Sequence, residues 1–233
     1  MPPQLATVPN LQPGRIRDRL NRFVLEVELP DAGPTEVYFS NTGGHNLIEP
    51  GRAVLVQPVA DADRRTAYDA RFVAVDGTWV SATATFANDV FRAAVEDGHL
   101  PTFANWEVTR AEPPLPEGGR ADFTLERDDG AEATIEVKSC SLVEDGVAKF
   151  PDRPTERGRR HVETLADLNN AHVVLVVQRA DADRFEPNRA VDPAFADALQ
   201  AAREAGVGVH AMQIKNEPPA VSLANGALPL SLS

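Results

Sequence analysis

The strongest constraint on the fold is a continuous apolar strand predicted over residues 172–178. A strand of this kind is buried on both faces, as in the interior of a parallel sheet. Asp192-Pro193 then places an N-cap residue before a first-turn proline, which predicts a helix that ends at Gly206. Another strand is predicted over residues 207–214. Because strand, helix and strand imply a right-handed crossover between parallel neighbours, this half of the chain is predicted to be α/β.

The N-terminal part of the chain has a different pattern. Short segments rich in β-branched and aromatic residues alternate with proline and glycine turns, and they predict strands at 22–29, 35–39, 53–57 and 70–75, with another beginning at Trp79. Such a series of short strands predicts a small barrel. The turn at residues 41–45 contains two glycines that permit positive φ, and His45 is the histidine best placed for a functional loop.

The segment between these two patterns mixes helices and strands. Asn88 is predicted to cap a helix that ends at Gly98, and residues 155–168 are predicted to form another helix. Residues 120–126 and 133–138 predict two strands joined by a tight turn. The expectation is a two-domain protein of the α+β or α/β class, with one domain over residues 1–80 and the other over residues 81–233.

Composition narrows the function. The formal net charge is −12, and all but three of the 23 basic residues are arginine. This acidic, lysine-poor composition resembles that of proteins from the salty cytoplasm of halophilic archaea, where ions screen the self-repulsion. It excludes a polybasic nucleic-acid coat and a basic membrane-surface helix, but it allows a local basic site. The acid is uneven, because residues 1–80 carry eight basic and ten acidic side chains and the remainder carries most of the excess.

Several classes of protein are not expected. Cys140 is the single cysteine, which gives no disulfide framework, fits a reducing cytosol and is not expected to act as a nucleophile. The first residues lack the pattern of a signal peptide, and the longest apolar segment, residues 173–177, is far too short to span a membrane. No glycine-rich nucleotide loop or histidine metal spacing is present. The expectation is a cytoplasmic protein without a nucleotide cofactor.

The best catalytic candidate lies on the predicted hairpin. A three-residue turn at 128–130 pairs residue 127 with 131, and counting outward places Asp122 opposite Glu136. Glu136 and Lys138 are two residues apart on a strand and share one face. Adjacent carboxylates repel unless a hard divalent cation such as Mg²⁺ lies between them, and a lysine beside them can orient water or neutralise a phosphate. The alternative is a set of unrelated charges on a solvated strand.

Two basic clusters accompany this candidate. One has the spacing of a single helix face, which suits a phosphodiester backbone, and comprises Arg157, Arg160, His161 and Thr164. Its alternative is a solvated face with Arg–Glu pairs. The other is N-terminal and comprises Arg15, Arg17, Arg19 and Arg22. This cluster lines a nucleic-acid groove on the barrel in one interpretation, and solvates the edge of a strand in the other.

At these residues the chain resembles the SfsA family, the sugar fermentation stimulation proteins. The matching stretches are 19–23, 40–43, 120–123, 135–139 and 144–161, with shorter matches between 177 and 207. The resemblance implies an OB-fold-like β-barrel over residues 1–80. It also implies a restriction-endonuclease-like α/β/α domain of the PD-(D/E)xK nuclease type over residues 81–233.

The resemblance also implies a function and a site. It implies binding of DNA, single- or double-stranded, and a link to the regulation of sugar (maltose) metabolism. Asp122, Glu136 and Lys138 match the catalytic motif of the PD-(D/E)xK nucleases, and the two carboxylates would hold Mg²⁺ or Mn²⁺. Ala93 stands where the family carries an acid on a helix, which removes one metal ligand. Asp89 or Glu96 are the substitutes, on different helix faces.

Three functions follow from these features. The first is a DNA-binding protein without strong catalysis, and the second is a metal-dependent nuclease that acts through the Asp122, Glu136 and Lys138 motif. The third is a binding module for a partner other than nucleic acid, which the acidic C-terminal half suggests. Association into a homo-oligomer is compatible with each of them.

Overall fold

A computed structural model of the chain describes residues 1–41, 45–61, 63–116 and 118–232. Within these ranges the strands form a six-stranded sheet, a seven-stranded sheet and a small three-stranded sheet. The six-stranded sheet is named the barrel sheet, and the seven-stranded sheet is named the large sheet. The predicted turn residues 42–44 and the side chain of His45 lie outside the described part of the chain.

The barrel sheet comprises β2 (Gln12–Asn21), β3 (Val24–Leu29), β4 (Gly33–Tyr38), β5 (Ala53–Pro58), β6 (Tyr68–Val75) and β7 (Thr78–Ser81). Its order is β4-β3-β2-β5-β6-β7, and β4 also pairs with β6, so that the five strands β2–β6 of the described chain close into a barrel. A short 3₁₀ helix, His45–Leu47, lies between β4 and β5. This is the strand order of an OB fold, and the predicted small barrel is confirmed.

Alternating side chains fill the barrel. Along β3, Leu25, Val27 and Leu29 are buried while Glu26 and Glu28 face outward. Apolar burial on one face of each strand is the main stabilising force for such a barrel. β2 crosses β3 closely, since a Cβ on Gly14 would lie 2.6 Å from Val27 Cγ1. The sequence pattern missed β2, because its outer face carries charged residues and it contains few apolar ones.

The large sheet comprises β1 (Gln4–Thr7), β8 (Trp106–Ala111), β9 (Phe123–Arg127), β10 (Glu132–Cys140), β13 (Ala171–Val177), β15 (Gly208–Glu217) and β16 (Ala220–Asn225). Its order is β1-β16-β15-β13-β10-β9-β8. The three central strands β10, β13 and β15 are parallel. The predicted crossover and the continuous apolar strand are therefore confirmed, with β13 at the centre of the sheet.

Helices cover both faces of the large sheet. α1 (Phe86–Glu96) packs on one face, against the side of β13 that presents Val174 and Val176. α2 (Glu156–Ala166) and α3 (Pro193–Glu204) pack on the other face, over Val173 and Leu175. These layers form the α/β/α sandwich of a restriction-endonuclease-like domain. A second 3₁₀ helix, Pro101–Phe103, precedes β8.

The small sheet packs near α3 and the end of β10, and it comprises β11 (Leu142–Glu144), β12 (Val147–Phe150) and β14 (Arg184–Pro187). The pattern did not predict it, because each strand is only three or four residues long. Its first two strands, β11 and β12, connect the end of β10 to the segment before α2. The small sheet thus sets where α2 begins relative to the acidic residues of β10.

Two predictions need correction. Residues 1–80 were all assigned to the barrel, whereas β1 pairs with β16 at one edge of the large sheet. Asn88 was assigned as the cap of α1, whereas the helix begins at Phe86 with Thr85 as its N-cap residue. Asn88 lies inside the first turn, and its side-chain amide donates a hydrogen bond to Asp122 instead of capping the helix. No helix in the described ranges is both long and apolar enough to cross a membrane.

Polar contacts fix the barrel against the sandwich. Arg179 is buried between the domains and donates to Asp76 of the β6–β7 turn over 3.1 Å and to Asp181 over 2.6 Å. The Asn216 amide, also buried, donates to the Trp79 carbonyl oxygen over 3.0 Å. Because buried polar groups of this kind are costly to separate, the two domains keep one relative orientation.

Candidate functional site

The hairpin brings the two predicted carboxylates together. β9 and β10 pair Glu126 with Glu132 and Phe123 with Ile135, which is the predicted register. One step further, the Asp122 backbone N–H donates to the Ile135 carbonyl oxygen over 3.0 Å. Asp122 and Glu136 therefore project side by side from neighbouring strands.

Asp122 is held by hydrogen bonds to both carboxylate oxygens. Its Oδ2 accepts from the Val137 backbone N–H over 2.7 Å, and its Oδ1 accepts from the Asn88 side-chain amide over 2.8 Å. Burial, and then the negative charge of Glu136, raise the pKa of Asp122 above its ordinary value despite these two donors. The carboxylate is thus fixed in position. A nearby cation would lower the electrostatic cost of ionising it.

Glu136 is more deeply buried, with 4% of its surface exposed. Its Oε1 contacts both the Lys138 ammonium and the His161 imidazole, whose Nδ1 lies 2.7 Å away. Burial by itself would raise the pKa of Glu136, but the His161 hydrogen bond and the Lys138 charge together hold that pKa below its ordinary value. Glu136 is therefore ionised, with its charge balanced by the Lys138 ammonium and its Oε1 held in a hydrogen bond with the His161 ring.

The start of α2 completes the site. Thr155 caps the helix, its Oγ1 accepting from the Gly158 N–H over 3.1 Å, and its own N–H donates to Asp192 over 2.8 Å. Gly158 packs so tightly on this cap that a Cβ there would lie 2.8 Å from the Thr155 hydroxyl. This packing directs Arg157 and His161 toward the hairpin carboxylates.

A cavity of about 370 Å³ forms between these elements. Its polar lining includes Asn88, Asp122, Glu136, Lys138, Arg157 and His161. A neighbouring cavity of about 560 Å³ is lined by Arg160 and Thr164, and it also touches Arg157 and His161. The predicted helix face is therefore shared between two cavities, and only part of it reaches the carboxylates.

The four N-terminal arginines do not form one cluster. Arg15 donates to the Gly51 carbonyl oxygen over 3.0 Å, and Arg17 pairs with Glu28 over 2.9 Å. The register of β2 against β3 shifts between Ile16 and Asp18 and again between Arg19 and Asn21, which interrupts the regular alternation of the arginines. In the described chain β2 pairs with β5 over residues 12–15 and beyond them with β3, so Arg17 lies on a solvated part of the strand, as the second interpretation expects.

Arg19 and Arg22 lie instead toward the second domain. The Arg19 guanidinium donates to the carbonyl oxygens of Asn21 and Arg22. Burial, and then the positive charges of Arg153 and Arg22, lower the pKa of Arg19. Arg153 is two residues before the cap residue Thr155, so positive groups from both domains lie near one another close to the start of α2 in the chain. The sequence pattern did not single out Arg153, because it lies outside the helical spacing.

Asn88 is the other residue that the pattern missed as a site residue. Ala93 packs against the core, and Glu96 is exposed and does not line the carboxylate cavity. Asp89 does not line the cavity either: burial raises its pKa, and the nearby charges of Arg71 and Arg92 act in the opposite direction. Among the described residues, α1 thus offers the cavity an amide rather than an acid. Within the same ranges, no group of three or more His, Cys, Asp or Glu side chains is arranged to hold a metal ion.

Family models match both domains. The model described as the SfsA N-terminal OB domain matches residues 18–82, and the model described as the sugar fermentation stimulation protein RE domain matches residues 85–220. The chain belongs to the sugar fermentation stimulation protein family. The predicted architecture, an OB barrel followed by a restriction-endonuclease-like domain, is confirmed by these matches and by the strand order.

Curated relatives and a solved structure are similar over nearly the whole chain. The sugar fermentation stimulation protein homolog of Moorella thermoacetica is 35% identical over 221 residues, covering 92% of this chain and 94% of the relative. That of Natranaerobius thermophilus is 36% identical over 219 residues, covering 91% and 90%. The structure of Pyrococcus furiosus SfsA in complex with Ca²⁺ is 27% identical, with a TM-score of 0.90, and covers 98% of this chain and 99% of that one.

Proposed function

We propose that this protein binds DNA through the cleft where α2 faces the β9–β10 hairpin. The observation that carries the proposal is that Arg157 and His161 of α2 line the same cavity as Asp122, Glu136 and Lys138. Guanidinium groups suit the phosphate oxygens of a nucleic-acid backbone, and such contacts fix a protein on DNA without reading its sequence. In a chain of net charge −12, basic side chains gathered at one cavity indicate that an anionic ligand binds there.

A divalent cation fits the paired carboxylates. Asp122 and Glu136 offer hard oxygen ligands from adjacent strands, and the raised pKa of Asp122 reflects the buried negative charge that a cation would relieve. The Pyrococcus furiosus relative was solved in complex with Ca²⁺, which supports the choice of an oxygen-seeking divalent ion. Mg²⁺ or Mn²⁺ is the expected ion for this chain. With Asn88 in place of a helix acid, the protein ligand set is limited to two carboxylates and backbone oxygens.

The carboxylate pair favours hydrolysis of DNA phosphodiesters as the second candidate function. When bound, a divalent ion polarises the phosphoryl oxygen and activates water. Lys138 supplies a positive charge at the carboxylates, where negative charge develops during phosphoryl transfer. His161 holds Glu136 in one orientation, and Arg157 offers a further cation to the phosphate. The reaction class is metal-dependent hydrolysis, with Asp122, Glu136 and Lys138 as its central groups.

One pair of arginines on α2 tests the binding proposal. Arg157 lines the carboxylate cavity, whereas Arg159 pairs with Glu163 over 3.6 Å, and Arg159 is not among the cavity-lining residues. We expect Arg157→Ala to weaken binding of a labelled 30-base-pair duplex by about 5- to 10-fold at low salt, the loss typical of one phosphate contact. Arg159→Ala, which removes the same charge from the same helix, is expected to change the affinity less than twofold. Equal effects of the two variants would contradict this cleft as the binding site.

Cleavage separates the two candidates. Purified protein is incubated with single- and double-stranded DNA and Mg²⁺ or Mn²⁺, beside Glu136→Gln. Cleavage that disappears in the variant supports hydrolysis, and binding without cleavage supports the DNA-binding function alone. If no nucleic acid binds under any condition, the partner is of another class.

The physiological part of the proposal is a role in the regulation of sugar (maltose) metabolism, and it is supported by family membership alone. Regulation through DNA requires preference for some sequences. Competition between promoter DNA of sugar-metabolism genes and random DNA of the same length tests it, and equal competition would argue against sequence-directed regulation.

A further inference from the structure

An aromatic side chain is exposed on the barrel. In the described part of the chain, the large apolar residues that are exposed are Met1, Leu20 and Phe23. Leu20 and Phe23 both lie at the β2–β3 hairpin, with 45% and 42% of their surfaces exposed. Most phenylalanines in the described part of the chain are buried, so the exposed Phe23 ring stands out at the tip of this hairpin, next to exposed Leu20.

Phe23 belongs to a row of rings and guanidinium groups. Its ring stacks with that of Tyr38, with centroids 6.4 Å apart and planes inclined by 19°. The Arg22 guanidinium lies 5.2 Å from the Phe23 centroid, and the Arg64 guanidinium lies 5.2 Å from the Tyr38 centroid. Asp69 holds Arg64 through two hydrogen bonds of 2.6 and 3.3 Å. These four residues, Arg22, Phe23, Tyr38 and Arg64, are named the barrel platform.

The barrel platform lies where OB folds bind their ligands. Phe23 is on the loop between the first and second barrel strands, Tyr38 ends the third strand, and Arg64 is on the loop between the fourth and fifth. In OB folds this surface takes oligonucleotides or oligosaccharides. Both ligand classes stack on aromatic rings, so the rings alone leave the choice between them open.

Charge decides between these two ligands. The Arg22 guanidinium lies 5.2 Å from the Phe23 centroid, and Arg19 lies near it and near Arg153, since burial first and then the charges of Arg153 and Arg22 lower the pKa of Arg19. Neighbouring cations of this kind favour a polyanion over a neutral sugar. Arg153 is two residues before Thr155, the cap residue of α2, and Thr155 lines the carboxylate cavity. These arginines therefore lie between the barrel platform and the start of α2 in the order of the chain contacts.

We propose that the barrel platform binds a single-stranded segment of DNA, with an unpaired base stacked on Phe23 and the backbone following Arg19, Arg22 and Arg153 to the cavity. This inference rests on the proposed DNA-binding function and names its substrate class. A base face is available for stacking on protein only where the base is unstacked from its neighbours, so duplex DNA gains nothing from Phe23. Stacking is tolerant of sequence and contributes about 1–3 kcal/mol per base.

The test compares two substitutions of Phe23. Phe23→Leu keeps an apolar side chain without a π-face, and Phe23→Trp keeps the π-face. By fluorescence anisotropy with a labelled 15-nucleotide oligo(dT), we expect Phe23→Leu to bind about 5- to 150-fold more weakly than the wild type. We expect Phe23→Trp to remain within about threefold of it. Binding of a 15-base-pair duplex is expected to change less than twofold in both variants.

Phe23→Trp provides a second readout. Its indole emission, after subtraction of the wild-type signal from Trp79 and Trp106, is expected to be quenched by oligo(dT) as bases stack on it. Titration with a maltooligosaccharide is expected to leave the emission unchanged. Far-UV circular dichroism and thermal unfolding confirm the fold of each variant, and the exposure of Phe23 leaves the core intact.

Three results would overturn the proposal. If the wild type binds DNA but Phe23→Leu retains full affinity for oligo(dT), the platform is not a stacking site, while the proposed DNA-binding function stands. If the wild type binds no DNA, both fail together. If the maltooligosaccharide, and not oligo(dT), quenches Phe23→Trp in a saturable manner, the occupant is a sugar.

Discussion

Replacing Lys138 by methionine tests the electrostatics of the carboxylate cavity. The Lys138 ammonium contacts Glu136 Oε1, and the two side chains are 14% and 5% exposed. Methionine retains most of the volume and removes the charge. Glu136 would then keep its hydrogen bond with the His161 ring, whose Nδ1 lies 2.7 Å from Oε1.

The structure sets the size of the effect. Removing one partner of a buried ion pair costs about 3–5 kcal/mol, because the other charge stays buried without compensation. His161 retains part of the compensation for Glu136, so we expect the free energy of unfolding to fall by about 3 kcal/mol. With a urea m-value of about 2 kcal/mol/M, this loss lowers the unfolding midpoint by about 1.5 M.

Urea unfolding at pH 7.5, followed by circular dichroism, measures this change. Lys215→Met is the matched control, since its pair with Glu217 has side chains 50% and 62% exposed and is expected to contribute less than about 1 kcal/mol. The double variant Glu136→Gln/Lys138→Met completes the cycle and is expected to lose less than the sum of the single variants. A loss below about 1 kcal/mol for Lys138→Met, or strict additivity, would refute the buried pair.

Three further predictions concern stability and the support of the site. The ring nitrogens of His172 and His210 lie 3.1 Å apart, and burial first, then the His172 charge, lowers the pKa of His210 to about 4. Because an unfolded histidine has a pKa near about 6.5, the unfolded chain binds this proton first as the pH falls. We therefore expect the free energy of unfolding, measured by urea unfolding across pH, to fall by about 3 kcal/mol between about pH 6.5 and pH 4. Asn88→Ala removes a donor to Asp122 and should cost about 1–3 kcal/mol in the same assay. Gly158→Ala should cost about 1–3 kcal/mol through its clash at the helix cap, measured by thermal unfolding, and an unchanged midpoint would contradict that packing.

The β9–β10 hairpin could be predicted from the sequence because its information is local. A three-residue turn fixes the register, and the two-residue repeat of a strand then fixes which side chains share a face. The Arg127 N–H donates to the Ala131 carbonyl oxygen over 3.0 Å, as the turn length required. The placement of Asp122 beside Glu136 followed by counting alone.

The contact between Asn88 and Asp122 could not be predicted in this way. The two residues are 34 positions apart and meet only because α1 packs on the face of the large sheet that carries the hairpin. The local pattern of Asn88 favours a helix cap, and tertiary packing overrides it. β1 was missed for the same reason, since its partner β16 lies at the opposite end of the chain.

The positions of the four N-terminal arginines could not be predicted from the two-residue repeat of a regular strand, because β2 is irregular. The register of β2 against β3 shifts between Ile16 and Asp18 and again between Arg19 and Asn21, so the four arginines do not follow one regular alternation. These shifts depend on how β2 fits its neighbours β3 and β5 in the closed barrel. The sequence of the segment contains no local signal that predicts them. The alternating arginines therefore look like one surface in the sequence and occupy two in the structure.

Net charge and local charge have different roles in this molecule. Many surface arginines are matched by nearby acids, as in the pairs of Arg17 with Glu28 and of Arg65 with Glu36. Arg19 instead lies among Arg22 and Arg153, whose positive charges oppose its own. Acidic groups elsewhere on the surface repel a polyanion, so the excess acid favours approach at the local basic groups. The charge of −12 is therefore compatible with DNA binding and favours a single route to the cavity.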